Sequence, residues 1–398
     1  MSLSRDALFA LSDEEALGLA EERGTPCFVY RIDRASARFK TLKAVLPPRT
    51  RLAYAVKANP HPNLIAAFAR EGSYFDCASD GELSRVRAAG VPGQRILFAG
   101  PGKSANEIRL ALGLGARIQA DGIEDLEKID AALARLPGAS LPLAVSLRVH
   151  PGAASGVEEA KRLIGGAGPS AFGVDEEDLG AFLREAGRFT SVRIAGLQVF
   201  AASNERDAGR LLANHRAAMA IGKRMSEEGG CSLDLVDLGG GLGIPYNADE
   251  SELDIEALGR GLAEILRDNP WFGGDLVLEP GRWLAGPVGV YLARVVRTKK
   301  SRGVDFAILE GGANHLLRPA LTGQAFPAAA PGAAAGDGEN PAQTIAGPLC
   351  TSLDRLGEFR LPRLKAGDLV MFGQAGAYGY TEAMTLFLSH EAAAEICL

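Results

Sequence analysis

The feature that most constrains this chain is an alternation. From residue 51 onward, short apolar runs rich in β-branched and aromatic residues trade places with longer segments of helical periodicity. The runs are RLAYAVK (51–57), YFDCAS (74–79), RILFAG (95–100), ARIQAD (116–121), LAVSLRV (143–149), RIAGLQVF (193–200), LDLVDL (233–238) and DLVLEP (275–280). Between them lie NLIAAFAREG, GELSRVRAAG, SANEIRLALGLG, IEDLEKIDAALARL, EEDLGAFLREAG, ERDAGRLLANHRAAMAIGKRMSEEGG and SELDIEALGRGLAEILRD, while RASARFKTLKAVL precedes the first run. Several of these open on Ser or Asp and close on Gly, which start and stop helices. Strands joined by helical crossovers lie parallel, because each helix returns the chain to the same end of the sheet. Eight such units across roughly 230 residues predict a closed (β/α)8 TIM barrel, with an open doubly wound sheet as the competing α/β arrangement.

After Glu279 the rhythm changes. VGVYLARVVRT, DFAILEGG and GDLVMFGQAG read as strands without helices between them. FPAAAPGAAAGDGENPAQ (326–343) is of low complexity and reads as an exposed, mobile loop. TPCFVYRID near the N-terminus holds one more strand-like run. The expected organisation is a barrel over 32–281 and a second, mostly β domain built from 1–31 together with 282–398.

Composition narrows the function. The chain has 398 residues, 47% hydrophobic and 23% charged, enough for two domains with a large core. A net charge of -6 without blocks of one sign argues against nucleic acid and anionic membrane as partners. No apolar run reaches the ~18–20 residues of a membrane span, and the acidic, amphipathic N-terminus does not resemble a signal peptide. Five cysteines are scattered without a CxxC pair. That suits a reducing cytoplasm and gives no disulfide frame. Five equally scattered histidines give little support for a metal site.

In a barrel, chemistry collects at the C-terminal ends of the strands. Polar residues of these runs fall there: Lys57 closing the first, Asp76 and Ser79 at the second, Arg148 at the fifth, Ser203 after the sixth, GGGLG (239–243) after the seventh, and Glu279 and Arg282 at the eighth. Strand ends are often polar merely because they meet water, but this set has a chemical logic. A glycine loop brings backbone N–H groups close to a phosphate, and Arg282 adds a cation. No GxGxxG opens a helix after the first strand, so one phosphate is indicated rather than a dinucleotide. A lysine desolvated in an apolar barrel mouth has a lowered pKa and becomes a nucleophile. Lysine plus phosphate site is the combination that holds pyridoxal phosphate as a Schiff base, and Glu279 can keep its ring nitrogen protonated.

The motifs YAVKANP, FDCASDGEL, DLGGGLGIPY, EPGR, GPLCTSLD and GAYGY occur in this order across residues 25–380. In these the chain resembles the diaminopimelate/ornithine decarboxylase family of barrel-type pyridoxal-phosphate enzymes. The resemblance implies a barrel plus β domain and a head-to-tail homodimer with active sites at the subunit interface. It implies Lys57 as the Schiff-base lysine and Glu279 on the pyridine nitrogen. Ser203, Gly240, Gly241, Gly281, Arg282 and Tyr378 would surround the phosphate or cofactor, and Asp76 and Arg148 would support the ring. Cys350, donated by the partner subunit, would protonate the carbanion left after CO2 departs. The bland alternative for Cys350 is a small buried hydrophobe.

The departures concern the substrate. The family's GLHxHxGS pattern reads GLQVFAAS here, with Gln198 and Phe200 at the histidine positions. Phe200 can stack on the ring but cannot donate a proton. The acidic residue that follows the cysteine in diaminopimelate decarboxylases is Thr351, followed by Ser352. Thr351 cannot neutralise a distal ammonium, and a buried unpaired ammonium costs several kcal/mol. RPALYG reads RPALTG, keeping Arg318 for a distal carboxylate but placing Thr322 at the tyrosine position. The usual Lys before FGI is Ala171. The expected activity is therefore decarboxylation of an α-amino acid, or an amino-acid conjugate such as a carrier-linked or siderophore-pathway intermediate, with a neutral or anionic distal group. Alternatives are diaminopimelate decarboxylation, a racemase on the same barrel, which Glu279 argues against, and an inactive pyridoxal-phosphate carrier or regulatory homologue.

Overall fold

Eight parallel strands close on themselves in the computed structural model, which describes residues 3–136, 138, 140–152, 168–334 and 339–398. The barrel strands, first to eighth, are Thr50–Ala55, Tyr74–Cys77, Ile96–Phe98, Arg117–Ala120, Leu143–His150, Val192–Gln198, Leu235–Asp237 and Asp275–Leu278. Each pairs in parallel with its neighbours, and Leu276↔Thr50 joins the eighth to the first. Each falls on an apolar run of the alternating pattern, so the closed barrel prevails over the open sheet. Both faces of these strands are covered, which is why they read as continuous apolar runs rather than alternating ones.

The crossover helices start where the side chains satisfy their first N–H groups. Ser104 accepts from Glu107 N while Glu107 reaches back to Ser104 N, a reciprocal cap. Ser79 does half of this, accepting from Glu82 N, so it serves as the N-cap of Asp80–Ala88. Inside the barrel, Ala53, Leu97 and Val277 pack with Tyr74 and Leu235. These residues come from strands that are not all neighbours, and such strands meet only through the barrel interior. On the seventh strand Leu235 precedes Asp237 by two residues, so the same face turns polar toward the strand's C-terminal end.

Two compact units divide the chain. The barrel unit comprises Arg38–Gly243 and Leu253–Gly281; the other comprises Met1–Ala37, Ile244–Glu252 and Arg282–Leu398. The spine of the second is the long strand Gly289–Ser301. Its first part pairs with Cys27–Tyr30 and Leu369–Phe372, and its second with Val304–Leu309. A register shift between Val295 and Arg297 separates the two sets of partners. Cys27–Tyr30 also pairs in parallel with Ala394–Cys397, and Val304–Leu309 with Ala342–Ala346, giving a mixed, nearly closed sheet. Leu8, Phe9, Leu11, Val29, Val290, Leu292 and Met371 form its core.

The stretch 326–343 differs from the exposed loop its composition suggested. Phe326 is 2% exposed, with its ring against Tyr246, and Ala328–Ala329 pairs with Phe372 and Met371. Small alanine side chains let this backbone lie against the sheet, so low complexity here reflects tight approach as well as turning. Residues 335–338 of the same stretch lie outside the described residues. Among the described residues no helix is long and apolar enough to cross a membrane, and no cluster of side chains could hold a metal ion.

Candidate active site

The first barrel strand ends at Ala55, and Lys57 sits in the 3-10 turn Val56–Ala58 that follows, rather than closing the strand. Its surroundings are also more polar than an apolar mouth. Lys57 Nζ donates to Asp76 Oδ2 at 2.8 Å, and Asp76, at the end of the second strand, is 2% exposed. Parallel pairing of Ala55 with Asp76 places the two side chains at one level. The Lys57 side chain is 39% exposed, so its amine is held by one carboxylate yet open to an incoming carbonyl compound. Gly281 backs onto this turn: a Cβ there would lie 2.9 Å from Ala58 Cβ, closer than side chains tolerate.

Two more carboxyl groups lie in the same unit. Glu279, just past the eighth strand, and Asp237, ending the seventh, are both buried. Asp237 accepts from Gly239 N at 2.9 Å and from Gln119 Nε2 at 2.9 Å. Glu279 Oε2 receives a long contact, 3.4 Å, from Gln198 Nε2, while Glu279 Oε1 is buried with no hydrogen-bond partner. Burial first, then the charge of Asp76, pushes the Glu279 carboxyl above the usual range, and Lys57 opposes the shift. Asp237 is pushed well above it by burial and by Glu279, with which it is in hydrogen-bond contact. Two carboxyl groups buried this close disfavour double ionisation, and the upward shift is the stronger at Asp237. A water-excluded carboxyl group with an unpaired oxygen is suited to a ring N–H donor.

The glycine loop that follows Asp237 is drawn tightly against neighbouring strand ends. Gly241 has φ +95, and a Cβ on it would lie 2.7 Å from Ala202 O; one on Gly240 would lie 2.6 Å from Glu279 O. Backbone is therefore all that fits at these two positions, which lets the loop approach a ligand closely. Phe200 edges this loop, its Cε2 3.5 Å from the Cβ position of Gly240. Ser203 is half-buried, next in sequence to Ala202.

Arg148 emerges from the fifth strand with its guanidinium 4.5 Å from the Phe172 ring centre and 4.0 Å from Asp121 Oδ1. Behind it lies a buried cluster with no counterpart among the sequence-level expectations. Lys103, 2% exposed, donates to Asp121 Oδ2 at 2.7 Å, to Asp125 Oδ2 at 2.8 Å and to Gly100 O at 2.6 Å. Asp121 Oδ1 also accepts from Gly173 N at 2.9 Å. The lysine thus neutralises two acids and fixes the carboxylate that faces Arg148.

The second unit holds its own polar array. Arg282 Nη1 donates to Tyr246 Oη at 2.6 Å, and its guanidinium lies 4.7 Å from the Tyr378 ring centre. Arg318 lies 5.1 Å from that same centre, so one tyrosine ring serves two guanidinium groups. Tyr378 has φ +57, an uncommon conformation for a tyrosine, which GAYGY reserves for this placement. Arg318, expected to face a distal carboxylate, donates from Nη1 to Glu382 Oε2 at 2.7 Å, while its Nε is buried without a hydrogen-bond partner. Cys350 is exposed rather than a buried hydrophobe. Its loop is tied down by the buried Asp354, which accepts from Ala313 N and Leu349 N, both at 2.6 Å. Thr351 Oγ1 accepts from Leu353 N at 3.3 Å.

Sequence reasoning left Asp237, Gln119, Lys103, Tyr246, Asp354 and Glu382 without roles. Asp237 and Gln119 carried a signal, since each is a polar residue inside an otherwise apolar strand. Tyr246 and Asp354 stand inside quoted motifs. Lys103 and Glu382 sit in segments with ordinary surface composition, and only tertiary packing distinguishes them.

Residues 32–286 match the family model for the pyridoxal-dependent decarboxylases, pyridoxal binding domain. Over 397 residues the chain is 29% identical to the L-glutamyl-[BtrI acyl-carrier protein] decarboxylase of Niallia circulans, covering 97% of this chain and 91% of that protein. It is 32% identical over 373 residues to the diaminopimelate decarboxylase of Zymomonas mobilis, covering 92% and 86%. The crystal structure of diaminopimelate decarboxylase from Helicobacter pylori complexed with L-lysine superposes with a TM-score of 0.84 at 25% identity, covering 96% of this chain and 93% of that one. The cofactor is pyridoxal phosphate, and the residues present suit it: a reachable lysine, a side-chain-free glycine cradle and a buried carboxylate acceptor with an unpaired oxygen. The chain belongs to the pyridoxal-phosphate-dependent amino-acid decarboxylases of the diaminopimelate/ornithine decarboxylase family.

Proposed function

We propose that this enzyme removes the α-carboxylate of an amino acid, or of an amino acid joined to a carrier, whose far end bears no cation. The observation that carries this reading is Thr351 after Cys350. Its hydroxyl is engaged by Leu353 N, and it offers no negative charge to a distal ammonium. The Niallia circulans relative is an L-glutamyl-[BtrI acyl-carrier protein] decarboxylase, which supports a carrier-linked substrate; a siderophore-pathway intermediate without a distal cation is another candidate of the proposed class. Diaminopimelate decarboxylation is the second reading, favoured by the relatives of that name and by retention of Arg318.

Bound, pyridoxal phosphate supplies an electron sink for the pair left on Cα as CO2 departs. The chain's own residues have distinct tasks. Lys57 would carry the cofactor through Nζ, with Asp76 holding that amine in position. Glu279 would hold the proton on the ring nitrogen, with Asp237 beside it. Gly240, Gly241 and Ser203, with Gly281, Arg282 and Tyr378, are assigned to the phosphate, and Phe200 to the ring face. Arg148 would support the ring's other substituents. Cys350 of the partner subunit would return a proton to Cα, which requires a homodimer. The scattered free thiols suit the reducing cytoplasm.

The experiment is a CO2-release panel over meso-diaminopimelate, ornithine, arginine, lysine, glutamate conjugates and citryl-diaminopropionate. Turnover confined to substrates without a distal cation is the expected result. Turnover of meso-diaminopimelate at rates typical of an enzyme would overturn the reading.

A further inference from the structure

We propose that Glu382 sets the substrate class by occupying Arg318, so that the group at the substrate's far end is uncharged, as in an amide or thioester, rather than a carboxylate. The inference deepens the function proposed above and rests on it, together with the expectation from the RPALTG motif that Arg318 faces the substrate's far end.

Arg318 opens the short helix Arg318–Thr322 with its side chain 9% exposed, so its charge is largely shielded from water. A guanidinium in that position needs an anion. Glu382 provides one from within the same unit, 2.7 Å away, four residues beyond Tyr378 in GAYGYTE. Tyr378 locks the arrangement from the other side, its ring lying 5.1 Å from Arg318. The pair is neutral in sum: Nη1 is taken by Glu382 while Nε is buried without a hydrogen-bond partner, and an arriving carboxylate meets the like charge of Glu382. To bind, it must displace a charge-assisted hydrogen bond that costs nothing in ordering because it is already made.

The other residues at family substrate positions are satisfied internally as well. Thr322 Oγ1 donates to Arg318 O at 2.9 Å, and Thr351 Oγ1 accepts from Leu353 N at 3.3 Å. None of the three presents an unbalanced charge. An uncharged polar group is the one kind of far end that loses nothing in such surroundings. Glu382 is 27% exposed, reachable enough that its replacement should alter selectivity without opening a buried void.

The test compares the wild-type holoenzyme with Glu382→Gln and with Glu382→Gln/Arg318→Met. Calorimetry uses glutarate and glutaramate, which cannot be decarboxylated, and turnover uses L-glutamate beside a γ-glutamyl thioester. Glutamine is nearly isosteric with glutamate and keeps the packing. Wild type should bind glutaramate in preference to glutarate. Glu382→Gln should gain glutarate affinity by about 10–100-fold, the worth of one charged hydrogen bond. That gain should appear for L-glutamate in KM rather than kcat, with the thioester changed by less than about threefold, and should vanish in the double variant. Unchanged glutarate affinity in Glu382→Gln, or wild type preferring glutarate, overturns the proposal. If the variant binds as expected while neither substrate is turned over, the proposed function fails and the role of Glu382 stands. If the thioester is turned over while Glu382→Gln alters no preference, only the present inference fails.

Discussion

Replacing Asp237 by Asn tests the upward shift of its buried carboxyl. In the cofactor-free chain, burial and Glu279 hold the Asp237 carboxyl well above its ordinary value. In the unfolded chain it titrates near ~3.9. Below that pH both states carry the proton. Above it only the folded state does, so stability falls as pH rises until the folded-state pKa is passed, at up to ~1.4 kcal/mol per pH unit. Asn removes this loss. The stability of Asp237→Asn relative to wild type should therefore climb with pH above about 4, along that slope. A second contribution is independent of pH. Asp237 accepts from both Gly239 N and Gln119 Nε2, whereas Asn has one acceptor oxygen, so one donor loses its partner at a cost of ~1–3 kcal/mol. The variant should thus start below wild type in acid and gain on it toward neutrality. Denaturant unfolding of the cofactor-free chain, followed by circular dichroism from about pH 4 to about pH 8, gives both numbers. Parallel curves across that window would mean that Asp237 ionises when folded, and the upward shift would be wrong.

Lys57→Ala should abolish the visible absorption of the lysine-bound cofactor; persistence of that band would remove Lys57 from its role. Lys103→Met leaves Asp121 and Asp125 buried without their cation, at ~3–5 kcal/mol, lowering the barrel's thermal midpoint by roughly 6–20 °C in a melting experiment. A shift within about 1 kcal/mol would show that water reaches this cluster. Cys350→Ala should keep the cofactor spectrum and slow decarboxylation by about 100-fold or more, the usual worth of a positioned proton donor; full activity in stopped CO2 assays would discard Cys350 as the acid.

How much of this was legible in the sequence depends on what carried each signal. The barrel was, because its strands are covered on both faces and several helices carry their own start chemistry. Ser104 with Glu107 shows this: a cap written in four residues and formed as written. Lys57 and the glycine loop were legible for a related reason, since strand ends are where a barrel gathers function. The environment of Lys57 was not, because Asp76 meets it only through the register of two paired strands. The stretch 326–343 misled because small residues signal turning and close approach alike, and Phe326 was the one cue to the latter. The partner of Arg318 was not legible, because it lies 64 residues away in a segment whose composition resembles any surface.

The sequence alone determined periodicity, caps and residue types: a βα alternation that closes into a barrel, and a lysine, glycine loop and glutamate in the order that pyridoxal phosphate requires. These are local properties, set within a few residues of each position. Charge balance is not local. That Asp237 and Glu279 share one water-excluded site, that Lys103 answers two acids, and that Arg318 pairs with Glu382 were all decided by tertiary structure. Burial fixes which charges must be paired, and only the closed fold settles which side chains are near enough to pair them.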